Sequence, residues 1–267
     1  MQARYGALFT AAGSLLLSTV FAQAWDEAEA TVRWDALKTA FFKERPVGDG
    51  TALVSIDAPV RALDAASVPI ALNLKGNQPV KGLYLIIDEN PVPLAAHFTF
   101  GPEASPRTLT LPVRVNAYTN LHAVVETADG KLYATARFVK ASGGCSAAPQ
   151  GDEQKALSGI GHLKLALTDP FVAGKPQHAQ LSIHHPNFNG MQMNQITRLY
   201  TPARYIRSVD VRFGDAQVLH LDSDISLSSD PVLGFAFIPP AQGKLQVQVK
   251  DTDGAVYGDT FDVPAGG

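Results

Sequence analysis

Thr108-Leu109-Thr110-Leu111-Pro112-Val113-Arg114-Val115 is the stretch that decides the fold class. Leu109, Leu111, Val113 and Val115 take alternate positions, with Thr108, Thr110, Pro112 and Arg114 between them. A period of two places one set of side chains on each face of an extended chain, so the stretch predicts a strand. Similar short runs surround it: Ala52–Ile56, Val68–Leu74, Gly82–Asp88 and Ala95–Phe100 before it, Leu121–Thr127 and Lys131–Lys140 after it. Asp129-Gly130 separates the last two with a hairpin turn that tolerates positive φ. Some seven short strands with frequent turn signals predict an antiparallel sandwich.

Only the region before these strands reads differently. Trp25, Ala28, Val32, Leu37 and Phe41 or Phe42 recur near a 3.6-residue period, which predicts a helix over Trp25 to Phe42 with Asp26 as its cap. Pro46, Gly48 and Gly50 follow its end, and Trp25 and Trp34 are expected to pack it on the sandwich. After residue 158 the strand pattern resumes at Leu163, Leu165 and Leu167, at Leu181 and Ile183, and at Val209, Val211 and Phe213. Further strands are expected at Ala216–Leu221, Leu233–Phe237, Leu245–Val249 and Ala255–Val263, with Asp251-Thr252-Asp253-Gly254 as a turn. The predicted class is all-β: two immunoglobulin-like antiparallel β-sandwich domains, one N-terminal helix, and a flexible cysteine-bearing linker between the domains. The expected boundaries are 25–140 for the first domain, 141–158 for the linker and 159–267 for the second.

Arg4, the apolar run Gly6 to Phe21 and the small-x-small site Ala22-Gln23-Ala24 have the layout of a cleaved secretory leader, residues 1–24. The run is short for a spanning helix, and no second one follows, so the mature chain is expected in the periplasm and outside the membrane. Lysine and arginine number 22 against 25 aspartate and glutamate, and they are scattered, which argues against nucleic acid as a partner.

The linker contains Gly143-Gly144-Cys145-Ser146-Ala147, with the only cysteine of the chain. One thiol cannot close an internal disulfide, and in an oxidising compartment it is either an intermolecular partner or a reactive group. Read without function, it is an accidental linker thiol. Its setting favours something meant to be reached: at about 3.3–3.6 Å per residue, the chain from Lys140 could hold the sulfur roughly 17 Å from the sandwich. Gly143 and Gly144 let the backbone bend, and Ser146 and Ala147 add little bulk. Lys140 is the only cation nearby in sequence, so an unperturbed pKa of about 8.5 leaves activation to a partner. A flexible segment cannot hold the histidine and orienting group of a cysteine hydrolase, so no enzyme activity is expected. No phosphate loop, serine elbow or paired-cysteine metal motif is present, and no cofactor is expected.

A rival site is His184-His185-Pro186-Asn187-Phe188-Asn189-Gly190-Met191-Gln192-Met193. Imidazole with thioether suits copper, so His184, His185, Met191 and Met193, with His178 across a strand, define a periplasmic copper-handling alternative. Neighbouring histidines on a strand point to opposite faces, however, and methionines two apart are ordinary packing residues. Asp222, Asp224 and Asp230 with Ser223, Ser226, Ser228 and Ser229 lack the spaced ligands of a calcium loop and read as a solvated turn and edge strand.

The first domain resembles SoxY of bacterial sulfur oxidation in Ile56-Asp57-Ala58-Pro59-Val60-Arg61-Ala62, in Val68-Pro69-Ile70 and in the glycine-flanked Cys145 after the last strand. The second resembles SoxZ in His185-Pro186, Pro202-Ala203-Arg204-Tyr205-Ile206, Pro231-Val232-Leu233-Gly234-Phe235-Ala236-Phe237 and the Lys244–Thr260 hairpin. The resemblance implies a carrier without catalytic activity, in which Cys145 bears a sulfur-type or related intermediate on a swinging arm and shows it to periplasmic redox enzymes. Two departures stand out: Ser146-Ala147 follow the cysteine where the family has Gly-Gly, and the arm runs on into a second domain. The fused layout resembles the carriers associated with quinoprotein dehydrogenases. A non-reactive immunoglobulin-like adaptor for such a dehydrogenase is a further alternative.

Overall fold

The computed structural model describes residues 26–76, 78–148, 153–195 and 197–264. The proposed leader 1–24, Trp25 and residues 149–152 of the linker lie outside the described residues. Helix α1 (Glu27–Phe42) begins at Asp26, whose side chain accepts from the Ala28 and Glu29 N–H groups, with Glu27 and Glu29 in the first turn where the helix dipole favours acids. It ends at Lys43, whose φ of 56° leaves helical geometry before Pro46.

Eight strands follow: β1 (Val47–Asp49), β2 (Val54–Asp57), β3 (Val68–Leu74), β4 (Val80–Ile87), β5 (Leu94–Phe100), β6 (Thr108–Val113), β7 (Thr119–Thr127) and β8 (Leu132–Val139). After the short α2 (Glu153–Leu157) come β9 (Leu163–Leu167), β10 (Gln177–Ile183), β11 (Ile206–Phe213), β12 (Ala216–Ser223), β13 (Val232–Phe237), β14 (Gly243–Asp251) and β15 (Val256–Val263). The chain is mostly β, in a sandwich arrangement with an N-terminal helix, as its alternation predicts. The helix starts two residues later than expected, and β1 and α2 had no sequence signal.

The two halves build both sheets together. One sheet has the order β1-β8-β7-β4-β5-β12-β11-β14-β15, the other β2-β3-β6-β13-β10-β9. β5 pairs with β12 from Leu219↔Phe100 to Ser223↔Ala96, so the first sheet runs unbroken from one half into the other. In the second sheet the crossing is a single pair, Gly234↔Thr110. A side chain at Gly234 would run into Thr110 Oγ1, so this crossing requires glycine.

The alternation of the opening stretch holds in space. Leu109, Leu111, Val113 and Val115 are all buried, in one apolar core shared with Leu181, Val211, Phe235 and Phe237 of the second half. Burial of such side chains contributes about 1.5–3 kcal/mol each. β7 is buried on both faces, because Leu121, Ala123 and Val125 point into that core while Val124 meets α1. There Phe42, Ile86, Val124 and Leu132 form a second small cluster with Trp34 and Leu37 against it. Trp34 stacks on His122 with centroids 3.7 Å apart, packing the helix on the sheet as expected.

Asp222 lies on β12, which has β5 on one side and β11 on the other, so the edge strand expected there is an interior strand. The expectation of a solvated turn fails at Ser226 and Ser228, which are fully buried, while Asp222, Ser229 and Asp230 stay exposed. Both corrections have one cause: the sheets continue across the halves and cover what alternation alone leaves open.

Candidate functional site

β8 delivers the chain to the cysteine. Lys140 is tied down on leaving it: its N–H donates to Val60 O at 2.8 Å and its carbonyl accepts from Ala62 N–H at 3.0 Å. The segment then settles on Val115 and Asn116, just beyond the end of β6. Gly143 N–H donates to Asn116 O at 2.8 Å and Gly144 N–H to Val115 O at 3.1 Å. Gly143 has a φ of 75°, in the left-handed region, and Ser146 N–H closes the turn on Gly143 O at 3.2 Å.

Cys145 is a free thiol with 0% exposure. This overturns the outward placement expected from composition. Glycine permits close docking as well as movement, and here the backbone comes so near that a Cβ at Gly144 would collide with Ala65 O and lie 2.6 Å from Val115 O. Ser142 and Ser146 on either side remain exposed and Ala147 half-buried, so the buried part is one turn deep.

Two side chains from different halves hold this turn. Arg114 Nη1 donates to Gly144 O at 3.3 Å, and Asn189 Nδ2 donates to Cys145 O at 2.7 Å. Arg114 is 2% exposed although alternation groups it with Thr108 and Thr110, because Ser229 and its neighbours lie over it; its Nη2 donates to Ser229 Oγ at 2.9 Å. Its backbone is fixed from both directions, as N–H donates to Ser226 O at 2.7 Å and the carbonyl accepts from Asn90 Nδ2 at 2.8 Å. A polar seam thus crosses the junction: Asn187 Nδ2 donates to Ser228 O at 2.6 Å and Ser228 Oγ to Ala66 O at 2.8 Å. Arg114 Nε has no partner.

Burial pushes the Cys145 thiol up to about 11, with the Arg114 guanidinium pulling the other way. Burial also lowers Arg114 from its ordinary value, while Cys145 and Asp64 oppose that shift. The cation that acts on the thiol is therefore Arg114. Lys140, nearer in sequence, pairs through its backbone with Arg61. Neither Arg114 nor Asn189 carried a motif.

The histidines of the copper alternative each have partners of their own. His184 Nδ1 bonds Asp230 Oδ1 at 2.8 Å and its Nε2 bonds Ser158 O at 3.0 Å. His185 is fully buried; its Nδ1 accepts from Asn187 N–H at 3.0 Å and its Nε2 faces Asp251 Oδ2 at 3.7 Å. Met191 N–H donates to Asn189 Oδ1 at 2.9 Å, Met193 pairs through its backbone with Tyr200, and His178 Nδ1 bonds Asp169 at 2.6 Å. Among the described residues no group of three or more His, Cys, Asp and Glu side chains is placed to hold a metal ion, and no helix is long and apolar enough to cross a membrane.

Comparison with known proteins divides the chain at the same place as its cysteine segment. Residues 38–145 match the family described as sulfur oxidation protein SoxY, and residues 168–262 match sulphur oxidation protein SoxZ. The solved sulfur carrier protein SoxY of Chlorobium limicola f thiosulfatophilum is 29% identical over 43% of this chain and 96% of that chain, with a TM-score of 0.37. A superoxide reductase (neelaredoxin) of Ignicoccus hospitalis is 14% identical over 40% of this chain and 90% of that chain, with a TM-score of 0.30. No protein of curated function matches.

Proposed function

As a SoxY domain followed by a SoxZ domain, the chain belongs to the SoxYZ family, and we propose that it is a periplasmic sulfur carrier whose attachment point is Cys145. One observation carries this reading: the sole thiol ends the SoxY match and is docked by Arg114 of the first half and Asn189 of the second. The cargo is a sulfur-type or related intermediate bound covalently to Sγ. The partners are redox enzymes of the periplasm, of the sulfur-oxidation or quinoprotein dehydrogenase type, which perform the chemistry the carrier itself does not.

The docked turn is the protected state of such a carrier. A thiol raised to about 11 is protonated at neutral pH and a poor nucleophile, so loading and handover require the turn to lift. Four hydrogen bonds oppose lifting, those of Gly143, Gly144, Arg114 and Asn189. At about 0.5–1.5 kcal/mol net each they sum to roughly 2–6 kcal/mol, which holds the lifted state at a few per cent or less. Once lifted, Sγ returns toward the ordinary pKa of about 8.5 and the partner supplies the rest of its activation.

Intact-mass spectrometry of the chain from periplasm of cells oxidising reduced sulfur compounds tests this. The expected result is an adduct that reductant removes and that Cys145→Ser lacks. A thiol that stays unmodified throughout such growth overturns it.

A further inference from the structure

We propose that Arg114 determines which cargo the docked site retains: its buried guanidinium is the counter-ion of a negatively charged, oxyanion-terminated sulfur group on Cys145. This rests on Cys145 being the attachment point. Arg114 is 2% exposed, and among the described residues it forms no ion pair. A guanidinium carries five N–H donors, yet the bonds of this one are a long contact to Gly144 O at 3.3 Å and one to Ser229 Oγ at 2.9 Å, both neutral oxygens. Its Nε is buried without a partner. Asp64, the carboxylate that acts on it electrostatically, accepts instead from Ala66 N–H at 2.8 Å.

A buried cation without a directly bonded counter-charge is unfavourable, and such groups are normally paired. The empty carrier leaves this one incomplete, and the residue whose carbonyl it touches directly precedes Cys145. An anionic end group on Sγ brings the missing charge and the missing acceptors to the same place, and planar oxyanion recognition is what a guanidinium fork does well. A neutral cargo gains nothing from Arg114, and a cationic one is repelled. The site therefore keeps anionic intermediates docked and lets others lift.

Two methanethiosulfonate reagents that differ in charge test this on the full chain. In mild urea the Cys145 thiolate attacks the sulfenyl sulfur, an S–S bond forms and methanesulfinate leaves, giving a 2-sulfonatoethyl or a 2-(trimethylammonio)ethyl mixed disulfide. After refolding, release by dithiothreitol is timed and divided by the rate for the same adduct in the unfolded chain. The anionic adduct is expected to be protected at least fivefold more than the cationic one. Arg114→Gln should abolish the difference, and Arg114→Lys should keep part of it. Equal protection of both adducts in the unsubstituted chain overturns the proposal without any variant having to fold, as does a charge preference that survives Arg114→Gln. Failure of the carrier function shows elsewhere, as an absence of adducts in cells with the charge preference intact.

Discussion

Asn189 Nδ2 donates to the Cys145 carbonyl at 2.7 Å across 44 residues of sequence, so the second half of the chain fastens the turn that bears the thiol. Fusion thereby gives the docked state a bond that a free C-terminal tail could make only between subunits. Asn189→Ala removes one donor and leaves the carbonyl to water when the turn lifts. A net worth of about 0.5–1.5 kcal/mol predicts a two- to tenfold faster reaction of Cys145 with iodoacetamide at fixed pH. Unchanged kinetics would show that this bond does not restrain the turn.

Gly143 and Gly144 should separate in their effects. A Cβ at Gly143 would meet Ser146 Oγ at 3.8 Å, so Gly143→Ala pays only the left-handed backbone conformation, about 1–2 kcal/mol, and labelling rises roughly tenfold. At Gly144 the Cβ would collide with Ala65 O, a backbone atom that cannot swing away. Gly144→Ala should leave the turn undocked in a chain that still folds, with labelling near that of the unfolded chain and a urea midpoint lowered only by the lost docking, about 2–6 kcal/mol. The core lies elsewhere, around residues such as Leu111, Leu181 and Phe237.

The strands were legible because a half-buried strand writes its face into every second residue, as Val68–Leu74 does from end to end. β1 was not, since Val47-Gly48-Asp49 is too short to show a period, and α2 has only five residues. Cys145 was visible by its solitude, but its surroundings were not. Alternation assigns a residue to a face without saying what covers that face. Arg114, Ser226, Ser228 and Asn189 all look like surface residues until the two sheets are joined through β5–β12 and β6–β13.

Thiol reactivity should depend on pH in a way that reports the docked state. With Cys145 at about 11 in the turn, the docked thiolate fraction at pH 8 is about one in a thousand, against roughly a quarter for a thiol of pKa near 8.5. Reaction therefore runs through the lifted turn, and labelling at pH 8 should be suppressed by about thirtyfold or more relative to the urea-unfolded chain. The linked stability has a definite sign. The folded thiol keeps its proton where the unfolded one loses it, so stability falls as pH rises from about 9 toward 11. Cys145→Ser should flatten that alkaline fall.

His185 gives the opposite limb. Burial holds it down to about 4, with Asp251 and the Asn187 side chain opposing burial and Arg204 adding to it. Between pH 6.5 and 4 the unfolded chain binds a proton that the folded chain refuses, so the unfolded state holds more protons and stability drops as pH falls. The neutral ring is needed because Nδ1 accepts from Asn187 N–H, and Asn187 Oδ1 in turn accepts from Ile206 N–H at 2.9 Å. A shift of this size corresponds to about 3 kcal/mol lost by pH 4. Urea midpoints at pH 7.5, 6.0 and 4.5 should decline accordingly. His185→Gln, less stable at pH 7.5, should show a shallower decline across the same window, while an equally steep one would assign the acid sensitivity to another group. Because Asn187 Nδ2 also holds Ser228 in the seam beside Arg114, acidification should speed Cys145 labelling, once corrected for thiolate fraction, before the chain unfolds.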